Sequence, residues 1–341
     1  MPILNAERLI IAFKKLGAFM LQPDAGFETL IASVKHVNNW FTEDEVRRSL
    51  QSLSDMLNET DLHHWLESIS IGETPKRVGL ILAGNIPLVG FHDVLCVLAT
   101  GNTALIKLSS SDGKLLPALL SELTRIEPLL AERILFTERL KDFDAVIATG
   151  SNNSARYFEY YFSRVPHIIR KNRNSVAVLT GDETEEQIAA LGHDIFDYFG
   201  LGCRNVSKIY IPSDYDVSHF FIPLEGFASI ADHNKYKNNY DYNKSVYLVN
   251  QVQHLDNGFL LLKEDEAFSS PLSVLYFERY NDLDVLRNKL NEQADNLQCV
   301  VTHAPMELEA GVAGFGQSQR PKLWDYADNI NTVEFLSTLD K

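Results

Sequence analysis

Cysteine is scarce in this chain of 341 residues: there are three, Cys96, Cys203 and Cys299. They are far apart, odd in number and without the paired spacing of a zinc site, which argues against a disulfide framework or structural metal and fits a reducing cytoplasm. Basic residues are also outnumbered, 31 Lys and Arg against 46 Asp and Glu. The resulting net charge of −15 argues against a broad surface for DNA or RNA. No run approaches the roughly 18 uninterrupted apolar residues of a bilayer span. The opening "MPILNAERLIIAFKK" lacks the basic segment and small-residue cleavage site of a secretory signal. A complete G-x-G-x-x-G, an internal repeat and a low-complexity linker are missing too. The neighbouring His63 and His64 point in different directions on a helix and have no further ligands nearby, so no metal is expected.

The remaining composition, 45% hydrophobic and 23% charged, is that of a globular protein, and the length suggests two domains. Residues 1–75 read as helices. "TEDEVRRSLQSLSDML" opens with the capping-box pair Thr42 and Glu45 and continues with Val46, Leu50, Leu53 and Leu57 on one face. From residue 78, apolar runs such as "VGLILAG", "TALIKLS" and "DAVIATG" alternate with helical stretches, the pattern of parallel strands joined by crossovers. The reading is an α/β fold: a doubly wound, Rossmann-type nucleotide-binding domain over residues 76–172, preceded by the helical segment. Such sheets bind ligands at the carboxyl ends of their strands.

A second α/β domain is expected over 173–305, and a polar, aromatic segment over 306–341. A helix over 184–199 begins with the capping pair Thr184 and Gln187 and is closed by Gly200 and Gly202, which puts Cys203 in a helix-to-strand turn. "KSVYLV", "SPLSVLYFE" and "QCVVTHA" read as strands and "DLDVLRNKLNEQADNL" as an amphipathic helix.

Two stretches carry candidate chemistry. In "ATGS", residues Thr149, Gly150 and Ser151 follow a strand and open a helix whose N-terminus suits a phosphate. In "AGNIPLVGFHDVLCVLATGNTALIKLS", Asn85 precedes a helix expected to start at Pro87, and the next strand delivers Lys107 at its end. Cys203 in "FGLGCRN" is either a small buried hydrophobe or a nucleophile. Cys96 and Cys299, in apolar contexts, read as packing residues, and His92 and His193 as packed or capping ones.

Taken together, Asn85, "ATGN", Lys107, "ATGS", Cys203 and the later "EAFSSPL" resemble the aldehyde dehydrogenase superfamily, over residues 75–341. "GLGCRNVSKIYIP" and "LWDYAD" resemble its LuxC-type acyl-CoA reductase branch. That resemblance implies an acyl-CoA or other acyl thioester substrate, Cys203 as nucleophile, and Asn85 with the Cys203 backbone N–H as oxyanion donors. Lys107, Ser109 and Ser110 would face the adenosine ribose, Thr149, Gly150 and Ser151 the pyrophosphate, and Glu266 with Phe268 the nicotinamide ribose.

Two departures refine the expectation. The stretch where hydrolytic relatives carry a water-activating glutamate reads "IRKNRNS", with Arg170, Lys171 and Arg173. Without that base, acyl transfer to hydride or thiol is favoured over hydrolysis. Ser110 stands where NAD-preferring relatives hold ribose with a glutamate, so NADPH is expected, with NADH the alternative. Arg170, Lys171 and Arg173 are read as phosphate contacts or a solvated charge run, and Arg204 as a minor support for a thiolate. A homodimer or a complex with an acyl-activating enzyme is the partner implied. Oxidation in the reverse, CoA-acylating direction and a non-catalytic, acyl-carrying role are the alternatives.

Overall fold

A computed structural model of the chain describes residues 4–72 and 74–340. Parallel strands with helices between them divide into two units: one runs to Asn172 and resumes at Arg320, and the other is Arg173–Gln319.

The first unit begins with four helices, α1 Ala6–Leu21, α2 Ala25–Ser33, α3 Glu43–Met56 and α4 Glu59–Glu67. Asn5, Asp24, Thr42 and Asn58 each cap one, accepting a backbone N–H from the first turn. Leu9, Phe13, Leu16 and Met20 of α1 repeat at helical spacing and are buried with Val46 and Leu50 of α3. Strand β1 Arg77–Ile81, helix α5 Phe91–Ala99, strand β2 Thr103–Lys107, helix α6 Leu115–Ile126, and strands β3 Ile134–Phe136 and β4 Ala145–Thr149 follow. Helix α7 Asn152–Phe162 and strand β5 His167–Arg170 complete the sheet. All five strands are parallel, in the order β3-β2-β1-β4-β5. Chain order reverses between β1 and β4, which is the switch point at which doubly wound sheets open a ligand crevice. The N-terminal helices are not a separate body, because Val78, Leu80, the inner face of α5 and the α1 stripe share one core.

The second unit holds β6 Asn174–Val178, α8 Glu185–Phe196, β7 Val206–Pro212, α9 Asn234–Val249, β8 Leu255–Asp256, β9 Leu261–Glu264, β10 Val274–Tyr280, α10 Leu283–Glu292, β11 Leu297–Thr302 and β12 Gly311–Ala313. Its sheet runs β12-β11-β6-β7-β10-β9-β8, parallel except for the β8–β9 pair. Ala177, Ile209 and Leu275 face Ile188, Leu191 and Ile195 of α8. Val176, Tyr210 and Val300 face Leu286 and Leu290 of α10 on the other side. The capping pair of Thr184 and Gln187 forms in full.

Three expectations are corrected. "KSVYLV" lies inside α9 rather than in a strand, because Tyr236, Tyr240, Asn243 and Tyr247 form a buried helical stripe that runs through it. The helix expected to start at Pro87 starts at Phe91, since Leu88 holds a left-handed φ of 59°. The helix before Cys203 ends at Phe196, because Tyr198 and Phe199 take φ of 55° and 58°. In the closing segment the second unit runs to Gln319 and the first resumes at Arg320: β12 extends the second sheet, and the Gly316 and Ser318 N–H groups donate to Asp194. A final helix, α11 Thr332–Ser337, then buries Val333 and Leu336 in the first core.

Candidate functional site

The carboxyl edge of the first sheet gathers residues from three loops. After β1 comes the turn with Asn85, which is exposed; β2 ends at Lys107 and is followed by Ser109 and Ser110; β4 ends at Thr149 and is followed by Gly150 and Ser151. A Cβ on Gly84 would come within 2.5 Å of Ser109 Oγ, so the β1 and β2 loops lie against each other and leave room only for glycine. A Cβ on Gly150 would meet Ser154 and Phe158 at 2.9 Å. Ser151 is the N-cap of α7, its hydroxyl accepting the Ser154 N–H, and Ser109 caps the next short turn through the Ser111 N–H. Close-packed glycine turns at the carboxyl edge of a parallel sheet, one of them opening an 11-residue helix, suit a dinucleotide's phosphates.

Side chains far away in sequence hold the Asn85 turn. Asp112 Oδ2 accepts the Leu88 N–H at 2.9 Å, and Ser49 Oγ of α3 donates to the Pro87 carbonyl at 2.8 Å. Burial pushes the Asp112 carboxyl above its ordinary value, while N–H donors from Leu88, Leu116 and Leu115 pull the other way. Leu88, strained backbone for a branched residue, keeps its side chain in the core.

Arg170, Lys171 and Arg173 do not form a cluster. Arg170 is buried, pairing with Asp93 at 2.5 Å and donating to Thr332 Oγ1 at 2.9 Å. Lys171 pairs with Glu159. Arg173, in the second unit, donates to the Leu297 and Ala294 carbonyls. Of the two readings, phosphate contacts or a solvated charge run, neither describes all three: Arg170 and Arg173 are structural attachments, and Lys171 is an exposed cation in an ion pair.

In the second unit Cys203 is exposed, whereas Cys96 and Cys299 are buried. Burial pushes both buried thiols above the ordinary value; at Cys299 the charge of Arg204 partly offsets this. The Cys203 turn is built from its neighbours. Asn205 Oδ1 accepts the Gly202 N–H at 2.7 Å, and its Nδ2 donates to the Asp197 and Asp194 carbonyls at 2.8 and 3.1 Å. Ser175 of β6 donates to the Cys203 carbonyl at 2.9 Å and lies 3.2 Å from Cys299 Sγ. Cys203 Sγ also lies 4.0 Å from Gln298 Oε1. Upstream, the left-handed Tyr198 and Phe199 are retained by burial, with the Phe199 ring 4.3 Å from that of His233.

The exposed Glu266 and half-buried Phe268 lie in the loop from β9 to β10. Their backbone carbonyls are gripped by β7: Lys208 Nζ donates to Glu266 O at 2.7 Å and Ser207 Oγ to Phe268 O at 2.6 Å. Sequence reasoning did not single out Ser175, Lys208, Ser207 or Asn205 as site-forming; the available signal was that "RNVSK" runs directly from Cys203 into the next strand. His63 and His64 are exposed, and His64 meets the Trp324 ring edge-on. Among the described residues no group of three or more His, Cys, Asp or Glu could hold a metal, and no helix is long and apolar enough to cross a membrane.

Solved structures place this architecture. Aldehyde dehydrogenase 21 from Physcomitrella patens, solved with succinate, superposes with a TM-score of 0.67 at 13% identity, over 98% of this chain and 84% of that one. An NADP-dependent enzyme of E. coli gives 0.65 at 14% identity, over 91% and 78%. The fold is that of the aldehyde dehydrogenases. In sequence, the model of the family described as acyl-CoA reductase (LuxC) matches residues 21–219, more than half of the chain and Cys203 included, so the chain belongs to that family. A long-chain acyl-protein thioester reductase of Aliivibrio fischeri is 25% identical over 212 residues, which are 56% of this chain and 44% of that protein. The match thus spans less than half the length of that relative.

Proposed function

We infer that the chain reduces an acyl thioester to an aldehyde through an acyl-enzyme at Cys203. The observation that carries this reading is the contrast among the three thiols: within a family of acyl-CoA reductases, Cys203 alone is exposed, on a turn fixed by Asn205 and Ser175. As thiolate, Cys203 attacks the thioester carbonyl; the thiol of the acyl donor leaves, and the acyl group remains on Sγ. Oxyanion donation is assigned to the Asn85 side chain and the Cys203 N–H, the roles that the family resemblance gives them. The absence of a carboxylate in "IRKNRNS" supports reduction over hydrolysis, since no base stands there to activate water.

The cofactor proposed is NADPH, which when bound supplies the hydride. Lys107, Ser109 and Ser110 are assigned to its adenosine side, with no carboxylate there to repel a 2′-phosphate. Thr149, Gly150 and Ser151 are assigned to the pyrophosphate, and Glu266 and Phe268 to the nicotinamide ribose. The acyl donor is acyl-CoA or an acyl group carried as a thioester on a protein. Incubation with long-chain acyl-CoA or an acyl-protein, following NADPH absorbance and aldehyde, tests the reading. NADPH loss with aldehyde formation, abolished in Cys203→Ala, supports it; equal turnover by wild type and variant overturns it.

A further inference from the structure

Lys208 is unusual among the cations of this chain because its side chain has no exposed surface. A lysine buried to that degree costs free energy unless its ammonium is fully partnered. Its Nζ donates to Glu278 Oε2 at 2.6 Å and to the Glu266 carbonyl at 2.7 Å. The same Nζ stands 5.3 Å from the centroid of the Phe268 ring and 4.8 Å from that of Tyr210. Glu278 is itself paired a second time, with Lys289. The charge is therefore balanced inside the sheet, and one donor remains committed to a loop carbonyl rather than to a carboxylate.

That loop is the stretch assigned above to the nicotinamide ribose. Ser207, the preceding residue on β7, holds the loop by a second bond, at Phe268 O. β7 is also the strand that leaves the Cys203 turn, and the Cys203 carbonyl is tied to β6 through Ser175. One strand thus carries the candidate nucleophile's turn at its start and, a few residues on, the two groups that fix the 266–268 loop.

We propose that Lys208, assisted by Ser207, is a positioning residue that sets the 266–268 loop in register with the Cys203 turn, and so governs the reduction half of the reaction rather than the acylation half. The proposal rests on the acyl-thioester reductase reading. Neither residue touches substrate in this account; both act through the loop backbone. Removing the cation frees the Glu266 carbonyl to shift and leaves the loop held at Phe268 O by Ser207 alone, while the Asn205 and Ser175 bonds at the Cys203 turn stay in place.

The test separates the two half-reactions in the full chain. Acylation of Cys203 by long-chain acyl-CoA without NADPH is followed by intact mass, NADPH affinity by its fluorescence, and decay of the preformed acyl-enzyme by stopped flow after NADPH addition. In Lys208→Met, NADPH affinity and the decay rate each fall by about tenfold or more, as displaced positioning groups do, while the acylation rate stays within about twofold. Lys208→Arg, which keeps a cation and donors, recovers part of the loss. Ser207→Ala loses the short bond to Phe268 O and a longer one, 3.4 Å, to the Ser175 carbonyl, without leaving a buried charge; it shows the same pattern at smaller size, and decides the matter if Lys208→Met does not fold. Unchanged decay and NADPH affinity in a folded variant overturn the proposal and leave the reductase reading intact. Parallel loss of acylation and reduction makes the residues merely structural, and also overturns it. Wild type that neither acylates Cys203 nor consumes NADPH overturns the reductase reading and the proposal with it.

Discussion

Replacing Asn205 by alanine removes the knot that joins the end of α8 to the Cys203 turn. The side chain is 4% exposed, accepts the Gly202 N–H, and shares its two Nδ2 hydrogens among the carbonyls of Asp197, Asp194 and Ile195 at 2.8, 3.1 and 3.4 Å. A hydrogen bond contributes about 1 kcal/mol net, and each buried polar group left unpaired costs about 1–3 kcal/mol. Two good donor bonds and one acceptor bond lost together amount to about 3 kcal/mol. For a unit of this size 1 kcal/mol corresponds to about 2–4 °C, so calorimetry should show a transition lowered by about 9 °C. Asn205→Asp is the sharper comparison. It keeps an acceptor for Gly202 but turns a carboxylate toward three carbonyl oxygens at a helix C-terminus, the unfavourable end of the dipole. At pH 7 it should be at least as unstable as Asn205→Ala, and it should recover as pH falls and the new carboxyl is protonated. A shift of less than about 2 °C in Asn205→Ala would refute the argument that this side chain builds the turn.

Thiol accessibility, the buried pair and acid sensitivity give three further tests. Brief alkylation of native protein with iodoacetamide at neutral pH should modify one cysteine of the three, with none modified in Cys203→Ala, because Cys96 and Cys299 are buried and their thiols are pushed above the ordinary value; labelling of Cys96 or Cys299 at a similar rate would contradict this. Arg170→Met leaves the Asp93 carboxylate buried without its cation and should cost about 3–5 kcal/mol in urea unfolding, largely restored by adding Asp93→Leu; a loss below about 1 kcal/mol would count against it. Glu127, hydrogen-bonded to Arg8, is held below its ordinary value of 4.5. Its contribution is present above that value and disappears as pH falls through the lower folded value. The stability gap between wild type and Arg8→Met should therefore narrow as pH falls below 4.5; a gap unchanged from pH 7 to pH 3 would contradict it.

Local patterns in the sequence reached the fold through features that act over a few residues. The alternation of apolar runs and helices from residue 78 corresponds to the parallel sheet, and the Thr184 and Gln187 pair forms its full capping box. The errors came where side chains distant in sequence decide the backbone. "KSVYLV" is β-branched and aromatic enough for a strand, but Tyr236, Tyr240 and Asn243 upstream continue into Tyr247 at helical spacing. Pro87 is an ordinary helix starter, yet Asp112 and Ser49 hold its turn open until Phe91. The candidate site divides the same way. The positions of Lys107 and Thr149 at strand ends were legible, because apolar runs mark strands; the pairing of Arg170 was not, because its partner Asp93 lies 77 positions away. Lys208 was equally hidden, since nothing in "NVSKIY" announces a carbonyl at Glu266.

The central claim is that Cys203 carries the acyl group. Intact mass spectrometry after mixing the chain with a long-chain acyl-CoA and no NADPH, followed by peptide mapping, measures it directly. The account predicts one acyl adduct, on Cys203, which disappears when NADPH is added and aldehyde is formed. Aldehyde formation with the adduct on another residue, or undiminished turnover by Cys203→Ala, would contradict it.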